Sequence, residues 1–253
     1  MKIHFLGTCS GTDPIDGINH SSWVLEVDDK LYFFDAGECC SRTAHIKGLD
    51  VLTMKAVFIS HHHIDHMGGL SNLVWLVEKM RGRLKRMPIH GGFDLYLPDM
   101  DIWSGVVNNL KYSAAALGKN YRVEPHLVED GVVCDDGTIK VTAYHNTHIK
   151  NHECSFSYLI ECEGKRIVYS GDIKSYTELD EAIGDYCDML ICETGHHTVD
   201  DTIEYLKTKK VKKIFYSHHG REIINGREDC TNRIKAAFVD KAVISVDGLV
   251  EEL

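Results

Sequence analysis

The sequence contains little of what marks a membrane-bound or disordered protein. Its apolar runs are only a few residues long, far short of the ~20 residues that span a bilayer. The first residues, Met1–Thr8, include no apolar stretch long enough for a signal peptide. There are only four prolines, and there is no low-complexity segment or internal repeat. We therefore expect one domain over residues 1–253 and no membrane partner.

The cysteines do not form a recognisable framework. There are nine of them, an odd number, and two are adjacent (Cys39 and Cys40). No Cys-x-x-Cys pair occurs, so the sequence indicates neither a disulfide scaffold nor a cysteine-based zinc knuckle. This pattern favours a reduced, cytoplasmic protein.

Positive charge is also scarce relative to negative charge. The formal net charge is −10, which argues against a general nucleic-acid binder because affinity for phosphate backbones depends on clustered cations. It does not exclude a protein that acts on phosphate through bound metal, whose charge is missing from this count. The remaining composition, 43% hydrophobic and 26% charged, is that of an ordinary globular domain. The unusual feature is a total of sixteen histidines.

Hydrophobic periodicity predicts strands early in each half of the chain and helices after them. The predicted strands are Ile3–Leu6, Trp23–Val27, Leu31–Phe34, Ala56–Ser60, Ile139–Ala143, Phe156–Ile160, Arg166–Tyr169, Met189–Cys192, Val211–Tyr216 and Ala242–Val246. Four helices are predicted. The first starts near Gly69, the second contains Ile102, Val106 and Leu110, and the other two cover 200–208 and Thr231–Phe238. The arrangement indicates two βα halves whose sheets face each other inside helices.

The strongest motif is Ser60-His61-His62-His63-Ile64-Asp65-His66-Met67-Gly68-Gly69. It lies between a predicted strand and a predicted helix, at the carboxyl edge of a sheet, where ligands usually bind. His61 and His63 are two residues apart and can point the same way, while Asp65 and His66 can reach a second point nearby. Imidazoles with a carboxylate suit zinc, and also manganese or iron.

This His-x-His-x-Asp-His pattern is the signature of the metallo-β-lactamase superfamily, which the chain resembles over nearly its full length. The resemblance implies an α/β fold, a four-layer αβ/βα sandwich with a pair of metal ions at the edge between two sheets. It also implies further ligands in a set order: a histidine, a bridging aspartate at a strand end, and a late histidine.

The sequence offers candidates for each of these further ligands. Asp172, in Tyr169-Ser170-Gly171-Asp172, matches the bridging aspartate. His218 matches the late histidine, with its neighbour His219 as the alternative. For the middle histidine we favour His148, with His152 and His145 as alternatives.

The resemblance therefore implies two sites that share one carboxylate. The first would be formed by His61, His63 and His148, and the second by Asp65, His66 and His218, with Asp172 common to both. A hydroxide held between the two ions would be the nucleophile, and Asp65 would orient it or accept its proton.

Three further segments resemble the ribonuclease Z branch of the superfamily. They are Phe5-Leu6-Gly7-Thr8-x-x-Gly11-Thr12, Phe34-Asp35-Ala36-Gly37-Glu38, and Gly195-His196-His197-Thr198 preceded by Glu193. In that branch such a histidine, steadied by a glutamate, is thought to protonate the leaving oxygen. The resemblance therefore implies that His196 is the acid, with Glu193 as its partner. His197 is the alternative acid. In the alternative interpretation, the segment Gly195–Thr198 only caps a helix.

Two departures from ribonuclease Z bear on the substrate. Only 23 residues separate His148 from Asp172, which leaves no room for the long arm that grips transfer RNA, and the tail after His218 does not match. Relatives without the arm include phosphodiesterases that act on small cyclic or nucleotide phosphates. The predicted function is thus a two-metal phosphodiesterase with a small phosphodiester or nucleotide-type substrate. The alternatives are a thioester or lactone hydrolase and a transfer RNA 3′-end endoribonuclease, so nucleic acid stays an open partner, and homodimers are frequent among relatives.

Overall fold

Two seven-stranded sheets form the inner layers of the protein. The computed structural model describes residues 1–12, 14–114, 117–150 and 154–253. Strands and helices are numbered in chain order. The first sheet has the order β14-β1-β2-β3-β4-β5-β6 and the second has the order β13-β12-β11-β10-β9-β8-β7.

The strands of the first sheet are β1 Lys2–Gly7, β2 Ser22–Val27, β3 Lys30–Phe34, β4 Met54–Phe58, β5 Gly92–Leu97, β6 Arg122–Leu127 and β14 Val250–Glu252. Those of the second sheet are β7 Gly131–Asp135, β8 Ile139–His145, β9 Phe156–Cys162, β10 Lys165–Tyr169, β11 Cys187–Thr194, β12 Val211–His219 and β13 Ala242–Ile244.

Helices cover the outer face of each sheet. Beside the first sheet lie α1 Cys40–Ile46, α3 Leu70–Leu84 and α4 Met100–Leu110, and a single turn, α2 Ile64–Met67, lies at the edge of the sheet. Beside the second lie α5 Asp180–Ile183, α6 Val199–Lys207 and α7 Arg221–Phe238. In the part of the chain that the structure describes, every helix is too short or too polar to traverse a lipid bilayer.

The inner strands are buried on both faces, because their side chains alternate between two apolar cores. In β3, Phe33 packs with the helices of the first half, whereas Tyr32 and Phe34 belong to the core between the sheets. In β10, Val168 packs with the helices of the second half and Tyr169 faces inward. This period-2 alternation between apolar faces gives four layers, helix–sheet–sheet–helix, as the sequence predicted.

The parallel part of each sheet points its carboxyl ends at the same edge of the sandwich. Strands β3 to β6 are parallel, and so are β10 to β13. Backbone hydrogen bonds join the two halves at this edge: the Phe156 amide donates to the Ser60 carbonyl (3.0 Å) and the Ser10 amide donates to the His219 carbonyl (3.2 Å). The loops that follow these strands therefore converge.

Some predicted element bounds were wrong. The last helix begins at Arg221, not Thr231. The hydrophobic pattern did not reveal its first half, because that half is polar and is interrupted at Gly226, whose backbone is not helical. The strands predicted as Ala56–Ser60 and Ala242–Val246 end earlier, at Phe58 and Ile244. Helix α1 and strands β5, β6, β7 and β14 were not predicted from the sequence; β6, for instance, contains a proline and is largely exposed.

The stacked aromatic side chains between the sheets allow a stability test. Phe34 is fully buried, with its ring 4.3 Å from that of Trp23 and 4.9 Å from that of Phe58. We expect Phe34→Ala to lower the free energy of unfolding by about 3–5 kcal/mol, measured by urea denaturation, because it leaves a cavity in this core. Tyr112→Ala, at an 89% exposed side chain, should change it by less than ~0.5 kcal/mol. Equal effects of the two substitutions would contradict this assignment of the core.

Candidate metal centre

The histidines and carboxylates that the sequence singled out lie at the edge where the two sheets meet. Each stands at or just after the carboxyl end of a strand. The motif 61–66 follows β4, His148 follows β8, Asp172 follows β10, Glu193 is in β11 and His218 is in β12. Asp65 and His66 lie on α2, a single turn, as expected. The topology thus brings together residues more than 150 positions apart in the chain.

One group consists of His61, His63, His148 and Asp172, whose potential ligand atoms all lie within 4.8 Å of one another. His63 Nδ1 is 3.3 Å from His148 Nε2. Asp172 Oδ2 is 3.6 Å from His61 Nε2 and 3.7 Å from His148 Nε2. Three imidazole nitrogens and one carboxylate oxygen therefore converge on a single point.

A second group consists of Asp65, His66, His218 and the same Asp172. The Nε2 atoms of His66 and His218 are 3.1 Å apart, and Asp65 Oδ2 is 3.2 Å from His218 Nε2. Asp172 Oδ1 is 3.3 Å from both His66 Nε2 and His218 Nε2. The two oxygens of Asp172 thus face different groups, which is the geometry of a bridging carboxylate.

The residues present fit a pair of divalent cations. Among the described residues, His61 Nε2 and Asp172 Oδ1 are buried and have no hydrogen-bond partner. Buried polar atoms are nearly always paired, so one unpaired atom facing the first group and one facing the second indicate a missing ligand in each. Nitrogen and carboxylate oxygen are the ligand atoms that zinc prefers, and manganese or iron also accepts them.

The first group is electrostatically ready to bind a cation. Burial lowers the pKa values of His61, His63 and His148, and for His61 the neighbouring histidines lower it further. These imidazoles are therefore neutral at pH 7, which is the state that coordinates metal.

In the second group, the pKa shifts favour protonated histidines and an ionised aspartate. Burial opposes the charged form of His218, but Asp172 and hydrogen bonds with Asp65 and Glu193 outweigh it and raise its pKa to about 9. His66 behaves in the same way: burial lowers its pKa, and carboxylates that include Asp172 raise it well above the usual range. Asp65 is buried as well, yet its hydrogen bonds with both histidines depress its pKa far below the ordinary value.

A buried carboxylate behind the second group fixes the histidine rings. Asp35 Oδ2 accepts hydrogen bonds from His66 Nδ1 (2.6 Å), Tyr169 Oη (2.5 Å) and Ser60 Oγ (2.8 Å). The Ser60 hydroxyl in turn accepts from His61 Nδ1 (3.0 Å), so both Nε2 atoms are left for a metal. The sequence analysis missed this role of Asp35, although it lies in the Phe34–Glu38 segment that resembles ribonuclease Z.

Asp35 and His218 share a backbone conformation that is uncommon outside glycine. Their φ values are +56° and +49°, in the left-handed region. Such residues persist only where the surrounding structure fixes them, and they concentrate at functional sites. Gly195 makes room for the His218 ring, because a Cβ at that position would clash with His218 Nδ1.

Glu193 and His196 form a pair beside the two groups. His196 Nδ1 lies 3.1 Å from Glu193 Oε2 and 3.7 Å from Asp172 Oδ2. Glu193 is buried, and its carboxylate also accepts from the backbone amides of Gly195 (2.9 Å) and Ile173 (3.0 Å). The hydrogen bond with Glu193 raises the pKa of His196, whose side chain remains 42% exposed.

The neighbouring alternatives are held by backbone carbonyls and do not line the cavity over the two groups, although His197 Nε2 also lies 3.7 Å from Glu193 Oε1. His197 Nε2 donates to the Ile173 carbonyl (3.0 Å), and its ring packs 4.4 Å from that of Tyr176. His219 Nε2 donates to the Ser245 carbonyl (2.9 Å), and burial lowers its pKa to about 4. Ser217 and His219 pair with Glu193 and Thr194 of β11, whereas the left-handed His218 between them is bulged out of this pairing, which separates its side chain from that of His219.

The alternatives for the middle histidine are also placed elsewhere. His145 ends β8 with its ring 5.9 Å from that of Phe156, and its amide donates to Asp130 Oδ1 (2.5 Å). His152 lies outside the described residues. Of the two described candidates, only His148 reaches the first group.

The helix-cap interpretation of 195–198 holds together with the site interpretation. Thr198 caps α6: its Oγ1 accepts from the Asp201 amide (3.1 Å), while its own amide donates to Asp201 Oδ2 (3.3 Å). His196 precedes this cap and faces the site. The same segment therefore caps α6 through Thr198 and places the His196 side chain at the site.

A cavity of about 410 Å³ opens over the two groups. It is lined by Ser10, Gly11, Thr12, His63, Ile64, Asp65, Asp172, Gly195, His196 and His218. An added Cβ at Gly11 would lie 3.0 Å from the Asp65 carboxylate, so this position keeps the cavity open. A substrate placed here would touch both groups and His196 at once.

Comparison with known proteins places the chain in a family. The family model described as anti-Pycsar protein Apyc1 matches residues 1–243. The chain belongs to this family.

Individual relatives agree with the fold. The chain is 26% identical over 148 residues to the ribonuclease Z of Methanothermobacter thermautotrophicus, a match that covers 58% of this chain and 45% of that protein. The chain thus spans about half the length of this curated relative. The short form of human tRNase Z has a TM-score of 0.76 at 18% identity, and the metallo-beta-lactamase fold protein YhfI from Bacillus subtilis has 0.78 at 17%. Each covers 100% of this chain and 99% of its own, and these likenesses confirm the metallo-β-lactamase fold.

The glycine against His218 provides a test of the centre. We expect Gly195→Ala to displace the His218 ring and to reduce the bound divalent metal per protein, measured by elemental analysis of protein purified in excess metal. Gly82→Ala is the control, because an added Cβ at this helical glycine meets nothing within 4 Å. Full metal content in both variants would show that His218 is not a ligand.

The protonated second group predicts a pH effect on metal uptake. Because the pKa of His218 is raised to about 9, metal binding at pH 7 must release its proton, and affinity should rise with pH until about pH 9. Calorimetric titration of the metal-free protein in buffers of different ionisation enthalpy measures this release. A binding heat that does not depend on the buffer would contradict it.

Proposed function

We propose that the protein is a metal-dependent hydrolase that uses two divalent cations, zinc by preference with manganese or iron as alternatives, to cleave a small phosphodiester of nucleotide type. The observation that carries this proposal is Asp172, whose Oδ2 faces His61 and His148 while Oδ1 faces His66 and His218. A carboxylate shared between two imidazole groups is what a two-metal site requires.

The chemistry divides between the ions and the protein. Two bound cations would supply a hydroxide nucleophile at neutral pH and would neutralise the charge that develops on the phosphoryl oxygens. Asp65, which lines the cavity, is placed to orient that nucleophile or accept its proton. The imidazole rings of His66 and His61 hold their positions through buried hydrogen bonds with Asp35 and Ser60, respectively.

His196 is the proposed acid. Its Nδ1 is engaged with Glu193, which leaves Nε2 for an oxygen of the substrate. The hydrogen bond with Glu193 raises the pKa of His196, which favours the protonated ring that an acid requires. An alkoxide leaving group from a phosphodiester is strongly basic and needs this proton.

This acid also separates the main proposal from its alternatives. A thioester hydrolase of the same fold would have less use for it, since a thiolate leaves without protonation. A lactone hydrolase also releases an alkoxide, so it is distinguished by its substrate and not by this acid. A transfer RNA 3′-end endoribonuclease would need a surface that grips RNA. The net charge of −10 and the short connection between His148 and Asp172 argue against such a surface.

The leaving group decides the role of His196. In metal-loaded protein, we expect His196→Ala to slow hydrolysis of a nucleotide phosphodiester with an alkyl leaving group about 10²–10⁴-fold. Turnover of bis(4-nitrophenyl) phosphate, whose leaving group needs no proton, should fall much less. Steady-state rates by chromatography and absorbance measure the two reactions.

His197→Ala is the matched control, because it removes the neighbouring imidazole, which donates to the Ile173 carbonyl and does not line the cavity over the two groups. It should leave the ratio of the two rates unchanged. Equal losses on both substrates in His196→Ala would refute the acid role. Turnover of thioesters or lactones, with none of phosphodiesters, would favour the alternative hydrolase.

A further inference from the structure

A second, larger cavity adjoins the metal centre. Its volume is about 580 Å³, and it lies between α2, α3 and α4. Ile64 lines both this cavity and the 410 Å³ cavity over the metal-binding groups, and its side chain is 68% exposed. We propose that this second cavity binds the uncharged ring of the substrate, a planar heterocycle that carries an amino group, while the phosphodiester lies at the metal centre. This inference rests on the proposed function.

The walls of the second cavity suit a flat organic ring. Its volume falls within the roughly 300–1,000 Å³ of small-molecule sites. Ile64, Met67, Ile102 and Val106 give it apolar sides, and the last two are buried members of the core beneath α4. The metal cavity, by contrast, is lined mainly by polar and charged groups. A substrate with one phosphodiester and one ring matches this division.

The polar groups in the second cavity define which ring it takes. Asp99 and Asp101 both line it, and within the described ranges neither forms an ion pair. Asp99 Oδ1 accepts from the Asp101 amide (2.8 Å), which leaves Oδ2 for a donor on the ligand. Carboxylates only accept hydrogen bonds, so they favour an amino group over a carbonyl at the ring edge. Two negative charges also repel a second phosphate, which excludes polynucleotide chains and nucleotides with further phosphates on this side.

Gly105 allows the cavity to be filled without disturbing the fold. It lies in α4 on the cavity wall, and an added Cβ would meet nothing within 4 Å. Gly82, in α3, is equally unobstructed but does not line the cavity. Leucine favours helix at both positions. Gly105→Leu and Gly82→Leu are therefore a matched pair: both add the same side chain to an open helical position, and only Gly105→Leu places it in the second cavity.

The test compares three 4-nitrophenyl phosphodiesters that share one leaving group and differ in the other ester: adenosine 5′, inosine 5′ and methyl. For the metal-loaded protein, we expect KM for the adenosine ester to be at least tenfold below that for the methyl ester. Gly105→Leu should raise KM for the adenosine ester at least tenfold and leave kcat/KM for the methyl ester unchanged. Gly82→Leu should change neither.

The carboxylates are tested by the choice between adenosine and inosine, whose rings differ by an amino group and a carbonyl. Asp99→Asn and Asp101→Asn each retain the size of the side chain, and asparagine caps α4 as well as aspartate does. We expect the double variant to lose at least fivefold of the preference for the adenosine ester. An unchanged preference would overturn the assignment of the amino group.

The outcomes distinguish this inference from the proposed function. If the methyl ester is hydrolysed but wild-type protein does not favour the adenosine ester, or Gly105→Leu leaves its KM unchanged, the second cavity is not the ring site and the phosphodiesterase proposal stands. If no phosphodiester is hydrolysed, the proposed function fails. Calorimetric binding of adenosine 5′-monophosphate then decides the inference: binding at least tenfold weaker in Gly105→Leu supports it, and equal binding overturns it.

Discussion

The carboxylate of Asp172 is the group around which the site is built. It is almost fully buried, and five imidazoles lie within 4 Å of it: His66 and His218 on Oδ1, and His61, His148 and His196 on Oδ2. An unpaired buried charge is costly, so this carboxylate requires positive charge on both sides. Without metal, protonated His66 and His218 provide it on one side. A pair of cations would satisfy both sides at once, which explains why ligands from both halves of the sandwich converge there.

The fold supplies this convergence through strand direction. Because the parallel strands of both sheets end at one edge, each loop needs only a few residues to deliver its side chain. The layers behind that edge then fix the rings: Asp35, at the end of β3, reaches across the interface to Tyr169 of β10, and the same carboxylate holds His66. One hydrogen-bonded network therefore links the two sheets and orients a ligand of the metal-binding groups.

Local sequence was enough to predict the layers and the densest part of the site. His61, His63, Asp65 and His66 share one short segment, and a strand followed by a helical turn leaves few ways to arrange it. His148 could not be chosen from the sequence alone, because a loop of several residues allows any of three histidines to turn inward. Asp35 was missed since its role depends on contacts with β10, 134 positions later. The start of α7 was missed because packing, not periodicity, keeps its polar first half helical.

The left-handed backbone of Asp35 and His218 bears on how the protein loses and rebinds metal ions. Each such residue costs ~1–3 kcal/mol, which the surrounding hydrogen bonds must offset before any cation arrives. The positions of these donors are thus set by the chain itself. A chelated sample should stay folded and regain its ions without passing through a disordered state, in contrast to small zinc domains that collapse on demetallation.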